Sequence, residues 1–134
     1  MRLRLPAAVA AALVLAGCTQ QQATSTSEYK GEEKDVAEVV ADLSDDASRG
    51  RGSHVCGEVV TPRLQKLIAD GSSCPSEVKK AFEDADTADL AVDDVTVTGT
   101  KATAQVSTEA RGDEVKRTFR LVKVAGDWRI DSFG

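Results

Sequence analysis

The sequence predicts an α+β domain in which N-terminal helices pack on a curved antiparallel β-sheet, and two patterns carry the prediction. Between residues 33 and 85, apolar side chains recur every three or four positions, the period of a helix that buries one face. Past Ala88 the spacing shortens to alternation, in runs rich in Val and Thr that are broken by Gly-containing turns. That is the pattern of half-buried strands joined as hairpins. Helices followed by consecutively joined strands pack as a helical layer on one sheet face.

In the first helix, residues 33–49, Val36, Val39, Val40, Leu43 and Ala47 share a face, and Gly50 and Gly52 end it. Thr61 and Pro62 read as the N-cap and first residue of a second helix, with Leu64, Leu67 and Ile68 as its stripe and Gly71 as its stop. Ser76, after Pro75, reads as the cap of a third, turning Val78, Ala81, Phe82 and Ala85 inward. Val95 and Val97 alternate with threonines up to Gly99-Thr100, and Ala102, Ala104 and Val106 form the second strand. Gly112-Asp113 marks the next turn, residues 115–124 the third strand with Phe119 and Leu121, and Gly126-Asp127 the turn into a strand where Trp128 and Ile130 share a face. Short turns throughout make the sheet a meander.

Ahead of this domain, a basic tip (Arg2, Arg4) precedes an apolar run over residues 5–16, which closes as Leu15-Ala16-Gly17-Cys18. A membrane-spanning helix needs about 20 apolar residues, more than this run supplies. An ordinary secretory signal has the same basic start and short apolar stretch, but it has no need of a cysteine behind Ala16-Gly17. The pattern resembles the lipobox of bacterial lipoproteins. The resemblance implies a signal peptide over residues 1–17, diacylglycerol on the Cys18 thiol, an added palmitate-type chain, and an extracytoplasmic protein anchored to the cell membrane. A single acyl chain holds a protein only marginally, whereas two give stable attachment.

Residues 18–33 follow as a flexible linker, polar from Thr19 to Ser27 and then densely charged. Residues 34–134 suffice for one domain. The chain contains no Asn, which excludes N-linked acceptors. Loss of the signal removes Arg2 and Arg4 but no acid, making the mature chain two units more negative than the −5 of the whole. Phosphate binding calls for clustered Lys and Arg. Here they are scattered among acids, and nucleic acid is not an expected partner.

With Cys18 assigned to lipid, Cys56 and Cys74 remain as an even pair in an oxidising compartment, where pairs are bridged. A loop of this size is stabilised by about 3 kcal/mol in the chain-entropy model. A metal site from His54, Cys56 and Cys74 is the alternative, but structural zinc takes four ligands and no second His or Cys-x-x-Cys exists. No metal and no cofactor is expected.

The helix-to-strand order, the two cysteines around Val59-Val60-Thr61-Pro62-Arg63-Leu64, and the ending from Leu121 through Gly126-Asp127-Trp128 to Phe133 resemble the nuclear transport factor 2-like superfamily. More narrowly, they resemble its small exported actinobacterial lipoproteins. The resemblance covers residues 34–134 and implies a cystatin-like cone, a curved sheet around helices with a cavity between them. Phe82, Phe119, Leu121, Trp128 and Ile130 are the candidates to line it.

Enzymes of that superfamily pair a carboxylate or histidine with an oxyanion-stabilising donor in a dry pocket. This chain has one Tyr, Tyr29, in the linker and one His, His54, in a Gly/Ser-rich loop, neither expected to reach a cone interior. Asp84, Asp86, Asp89, Asp93 and Asp94 gather at the helix-to-strand junction but lack the Gly and spacing of a calcium loop. No phosphate loop is present, and Ser53 beside His54 is adjacency rather than a triad. No catalytic residue is assigned.

The expectation is a non-catalytic envelope lipoprotein whose single domain binds a partner protein or a small apolar ligand. A cyclase- or isomerase-like enzyme using a buried Asp, and a structural module that forms a homodimer through its sheet face, are the alternatives.

Overall fold

A computed structural model describes residues 26, 28–85 and 89–134. The proposed signal peptide, Cys18 and most of the linker lie outside the described residues, as does Asp86. The first helix, α1 (Glu32–Arg49), opens with Glu32, Glu33 and Asp35 in its first turn, where negative charge complements the free N–H groups. Gly50 closes it in the left-handed conformation. Val36, Ala37, Val40 and Leu43 are buried as the period requires, and Asp46 is buried with them. Sequence periodicity did not identify that acid as an interior residue.

The predicted loop after α1 is helical. A single turn, α2 (Gly52–His54), runs directly into a π-helical segment over Val55–Val59. Gly52 is required at its start, because a Cβ there would stand 2.6 Å from the Pro75 carbonyl oxygen. In α3 (Pro62–Ala69), the Thr61 hydroxyl accepts from the Leu64 N–H at 3.1 Å, completing the predicted cap. Leu64 is buried, but Leu67 is exposed.

The last helix, α4 (Cys74–Asp84), is capped by Ser73 rather than Ser76: the Ser73 hydroxyl accepts from the Ser76 N–H at 3.3 Å. Cys74, Val78 and Phe82, four residues apart, turn toward the core, while Ala81 and Ala85 are exposed. The inward reading of Ala81 and Ala85 is thus corrected: with Cys74 buried in the disulfide at the start of the helix, the inward face runs through positions 74, 78 and 82.

Strands β1 (Ala91–Thr98), β2 (Lys101–Ala110), β3 (Asp113–Val124) and β4 (Asp127–Ser132) form an open antiparallel sheet in the order β1-β2-β3-β4. The second and third turns sit one residue earlier than Gly-Asp predicts. Arg111-Gly112 and Ala125-Gly126 are the turn pairs, all with positive φ, as the hairpin twist favours. Asp113 and Asp127 already belong to strands.

Register places Ala102 opposite Leu121 and Ala104 opposite Phe119, with Leu121 opposite Ile130 on the other side. Small residues on β2 beside large ones on β3 leave room for the helices, and Val36, Val40, Leu121 and Ile130 are almost wholly buried in the resulting core. Burying such a side chain stabilises the fold by about 1.5–3 kcal/mol. Residues 60 and 61 lie along β4, with the Thr61 N–H donating to the Ile130 carbonyl at 2.9 Å.

Packing extends upstream of Lys34. Tyr29 rests against the core, and its hydroxyl donates to the Val92 carbonyl at 3.4 Å. Glu32 pairs with Lys123. Among the described residues no helix is long and apolar enough to cross a membrane.

Candidate functional site

The Cys56–Cys74 disulfide spans 6.1 Å between Cα atoms and ties the π-helical segment to the start of α4. Together with the close approach at Gly52, it presses this segment against α4. His54, about half exposed, is turned back to α1.

His54 Nδ1 lies 2.6 Å from Asp46 Oδ2. A carboxylate only accepts, so Nδ1 carries the proton and Nε2 is left as the other ring atom. Arg51 Nε stands 2.9 Å from Asp46 Oδ1, an ion pair outside hydrogen-bond alignment, since Oδ1 has no hydrogen-bond partner. Arg51 also bonds Asp45 at 2.5 Å. A carboxylate with no solvent exposure is thus charge-compensated by Arg51 and hydrogen-bonded by His54, each about half exposed, as burial of a charge demands.

Beside this pair lies a groove of about 380 Å³. One helical face of α1 supplies Asp35, Glu38, Val39 and Asp42; the α2 and π-helical segment supplies His54, Glu58 and Val59; the β3–β4 turn and the start of β4 supply residues 126–129. Five carboxylates therefore face one arginine and one histidine. Burial, and then the nearby charge of Asp46, push the Asp42 carboxyl above its ordinary value.

Arg129 Nη1 donates to the Gly57 carbonyl at 2.8 Å, but its Nε has no partner. Trp128 is buried at 6% exposure, with its Nε1 also unpartnered. Its ring carries the Lys123 ammonium at 5.3 Å.

The five cavity candidates gather in one core cluster, and one of them reaches the groove. Trp128 lines the groove, whereas Phe119, Leu121 and Ile130 are core residues beneath the helices and Phe82 is half-buried on α4. Phe119 instead meets Phe133 edge-on, with ring centroids 5.2 Å apart. Asp84, Asp89, Asp93 and Asp94 are all exposed, and Asp93 accepts from Ser107. Among the described residues no cluster of His, Cys, Asp and Glu converges as metal ligands.

Asp46 is the residue that sequence reasoning missed. It stands three positions after Leu43 and seven after Val39, on the edge of the apolar stripe, with Arg51 and His54 close downstream. An acid at a core position followed by an arginine and a histidine was the available signal. No protein-family model matches the chain, and no curated protein matches it.

Proposed function

We propose that the chain is a non-catalytic, lipid-anchored envelope lipoprotein, attached through Cys18, whose nuclear transport factor 2-like domain engages a partner protein through the groove between α1, the π-helical segment and the β3–β4 turn. The observation that carries this reading is the groove itself, a concave surface with carboxylates from three separate elements. Its polar walls favour a protein partner over a small apolar ligand. The Cys56–Cys74 disulfide agrees with an oxidising compartment. Thr103, Gln105, Thr118 and Arg120 make the central outward face of the sheet polar, which speaks against a homodimer through that face.

The Asp46–His54 pair favours a second reading, acid/base catalysis by His54 with Asp46 holding its tautomer. Native mass spectrometry of the full chain, extracted gently from its own membrane, tests both. The expected results are a denatured mass that begins at acylated Cys18 and a non-covalent partner that the D42K/E58K variant no longer retains. A partner that survives D42K/E58K would overturn the groove reading. Turnover of an envelope component that is lost in His54→Ala would replace it with the enzymatic one.

A further inference from the structure

We propose that residues 28–32 form a strap with two states: seated, in which Tyr29 holds the end of the linker on edge strand β1 while Glu32 holds Lys123 over Trp128, and released, in which both contacts open together. The strap goes beyond the groove reading above. Only its role as the end of a membrane tether rests on the anchor at Cys18.

Four features build the seated state. The Tyr29 N–H donates to the Thr26 carbonyl at 3.2 Å, turning the chain toward the domain. The Tyr29 ring packs on the core, and its hydroxyl donates to the Val92 carbonyl at 3.4 Å, 63 residues away. Val92 stands where the β1–β2 register shifts, and such an irregularity leaves backbone groups outside the ladder. Gly31 then turns the chain into α1 at φ 59° and ψ −137°, the mirror image of the β region, which is closed to residues with a Cβ. Glu32 fastens the far end on Lys123, whose ammonium lies 5.3 Å from the Trp128 ring centroid. Trp128 walls the groove. An unbroken line of contacts thus runs from the end of the linker to the groove.

The same contacts make release easy. One hydrogen bond at the long end of the range, one half-buried ring and one partly exposed ion pair hold the strap, and segments with so few buried contacts open at low free energy. Tension along the linker falls first on Tyr29. By linkage, whatever draws Lys123 away from Trp128 also loosens the strap.

Tyr29 and Trp128 are the only tyrosine and tryptophan of the chain, so each end of the device has its own optical signal. Burial, followed by the charges of Asp94, Glu28, Asp93 and Glu33, raises the Tyr29 phenol above its ordinary value. That marks the seated ring. Lys30, between Tyr29 and Gly31, gives trypsin a site that the strap protects while seated.

The experiment follows tryptic cleavage after Lys30 in the full chain, scaled to the urea-unfolded chain of the same sequence, together with Trp128 emission. Tyr29→Ala and Gly31→Ala are each expected to speed cleavage about tenfold, because cleavage tracks the open population. Both should shift Trp128 emission in the direction that Glu32→Gln shifts it. In Gly31→Ala, which keeps Tyr29, the phenol should titrate nearer its ordinary value. A Cβ at Gly31 meets no atom within 4 Å, so this variant acts through the backbone alone, and unchanged amide exchange in β2 and β3 verifies an intact core.

Cleavage indifferent to both variants would overturn the strap. Faster cleavage with unmoved Trp128 emission would overturn the coupling between its two ends, as would a Glu32→Gln variant that leaves the emission unchanged. These signals read residues 28–32 with or without lipid. A denatured mass lacking acylated Cys18 would therefore remove the tether and leave the strap standing.

Discussion

His54 and Asp46, eight residues apart, meet through Nδ1 and Oδ2 at 2.6 Å, with the carboxylate wholly buried and the imidazole half exposed. The pair closes α1 against α2. It also decides which loss is worse. Removing the exposed partners strands a buried charge, whereas neutralising the carboxylate leaves two groups that water can reach.

Asp46→Asn is therefore expected to cost about 1–3 kcal/mol, the scale of a lost charged hydrogen bond. The double variant R51A/H54A should cost about 3–5 kcal/mol, because the carboxylate stays buried without compensation. Urea denaturation of the two proteins gives the comparison, and the reverse order would show that Asp46 is compensated by something other than Arg51 and His54.

Asp131 predicts the acid limb of stability. The Arg63 guanidinium, bonded to it at 2.8 and 3.1 Å, holds its carboxyl below the ordinary value, with the Thr61 hydroxyl adding to the effect against burial. A depressed carboxyl contributes stability that is fully present above its unfolded pKa and is lost as pH falls through the folded one. Melting temperature should drop on acidification across and below the ordinary carboxylate range, and Asp131→Asn should flatten that part of the profile. An unchanged acid limb in Asp131→Asn would assign it to other carboxylates.

Asp42 works in the opposite sense. Its raised carboxyl means that the native state binds the proton more tightly than the unfolded chain does, so stability falls as pH rises from the ordinary carboxylate value through the folded one. Asp42→Asn should raise the melting temperature at neutral pH, with the gain vanishing once the wild-type carboxyl is protonated. A residue that lowers stability in this way is the kind of position where binding and folding compete. No gain at neutral pH would mean that the groove carboxylates are fully screened by water.

Gly52→Ala tests the junction behind the groove. The added methyl would sit 2.6 Å from a backbone oxygen of Pro75, which has no flexible end to give way. Overpacking of this kind costs about 1–3 kcal/mol. Thermal unfolding should show the loss, and amide exchange should speed up in α2 and at the start of α4. A melting temperature equal to wild type would mean that the two segments separate freely despite the disulfide.

Much of the fold was legible because its signals are local. Val36, Val40 and Leu43 announce the face of α1 by spacing alone. Thr61-Pro62 announces the start of α3 because its hydroxyl and fixed φ act within one turn. The hairpins were legible through their glycines, although the turns fell one residue early because Arg111 and Ala125 accept positive φ.

What the sequence by itself determined was the order of helices and strands, the alternation that sends Phe119, Leu121 and Ile130 inward, and the pairing of Cys56 with Cys74. These follow from backbone periodicity, turn chemistry and cysteine count. Tertiary structure alone decided that Asp46 is buried, that Ala81 faces water, that Gly52 abuts Pro75, and that carboxylates from α1, the π-helical segment and the β3–β4 turn share one groove. Burial of a charge and the walls of a groove depend on partners distant in the chain. No window of sequence contains them.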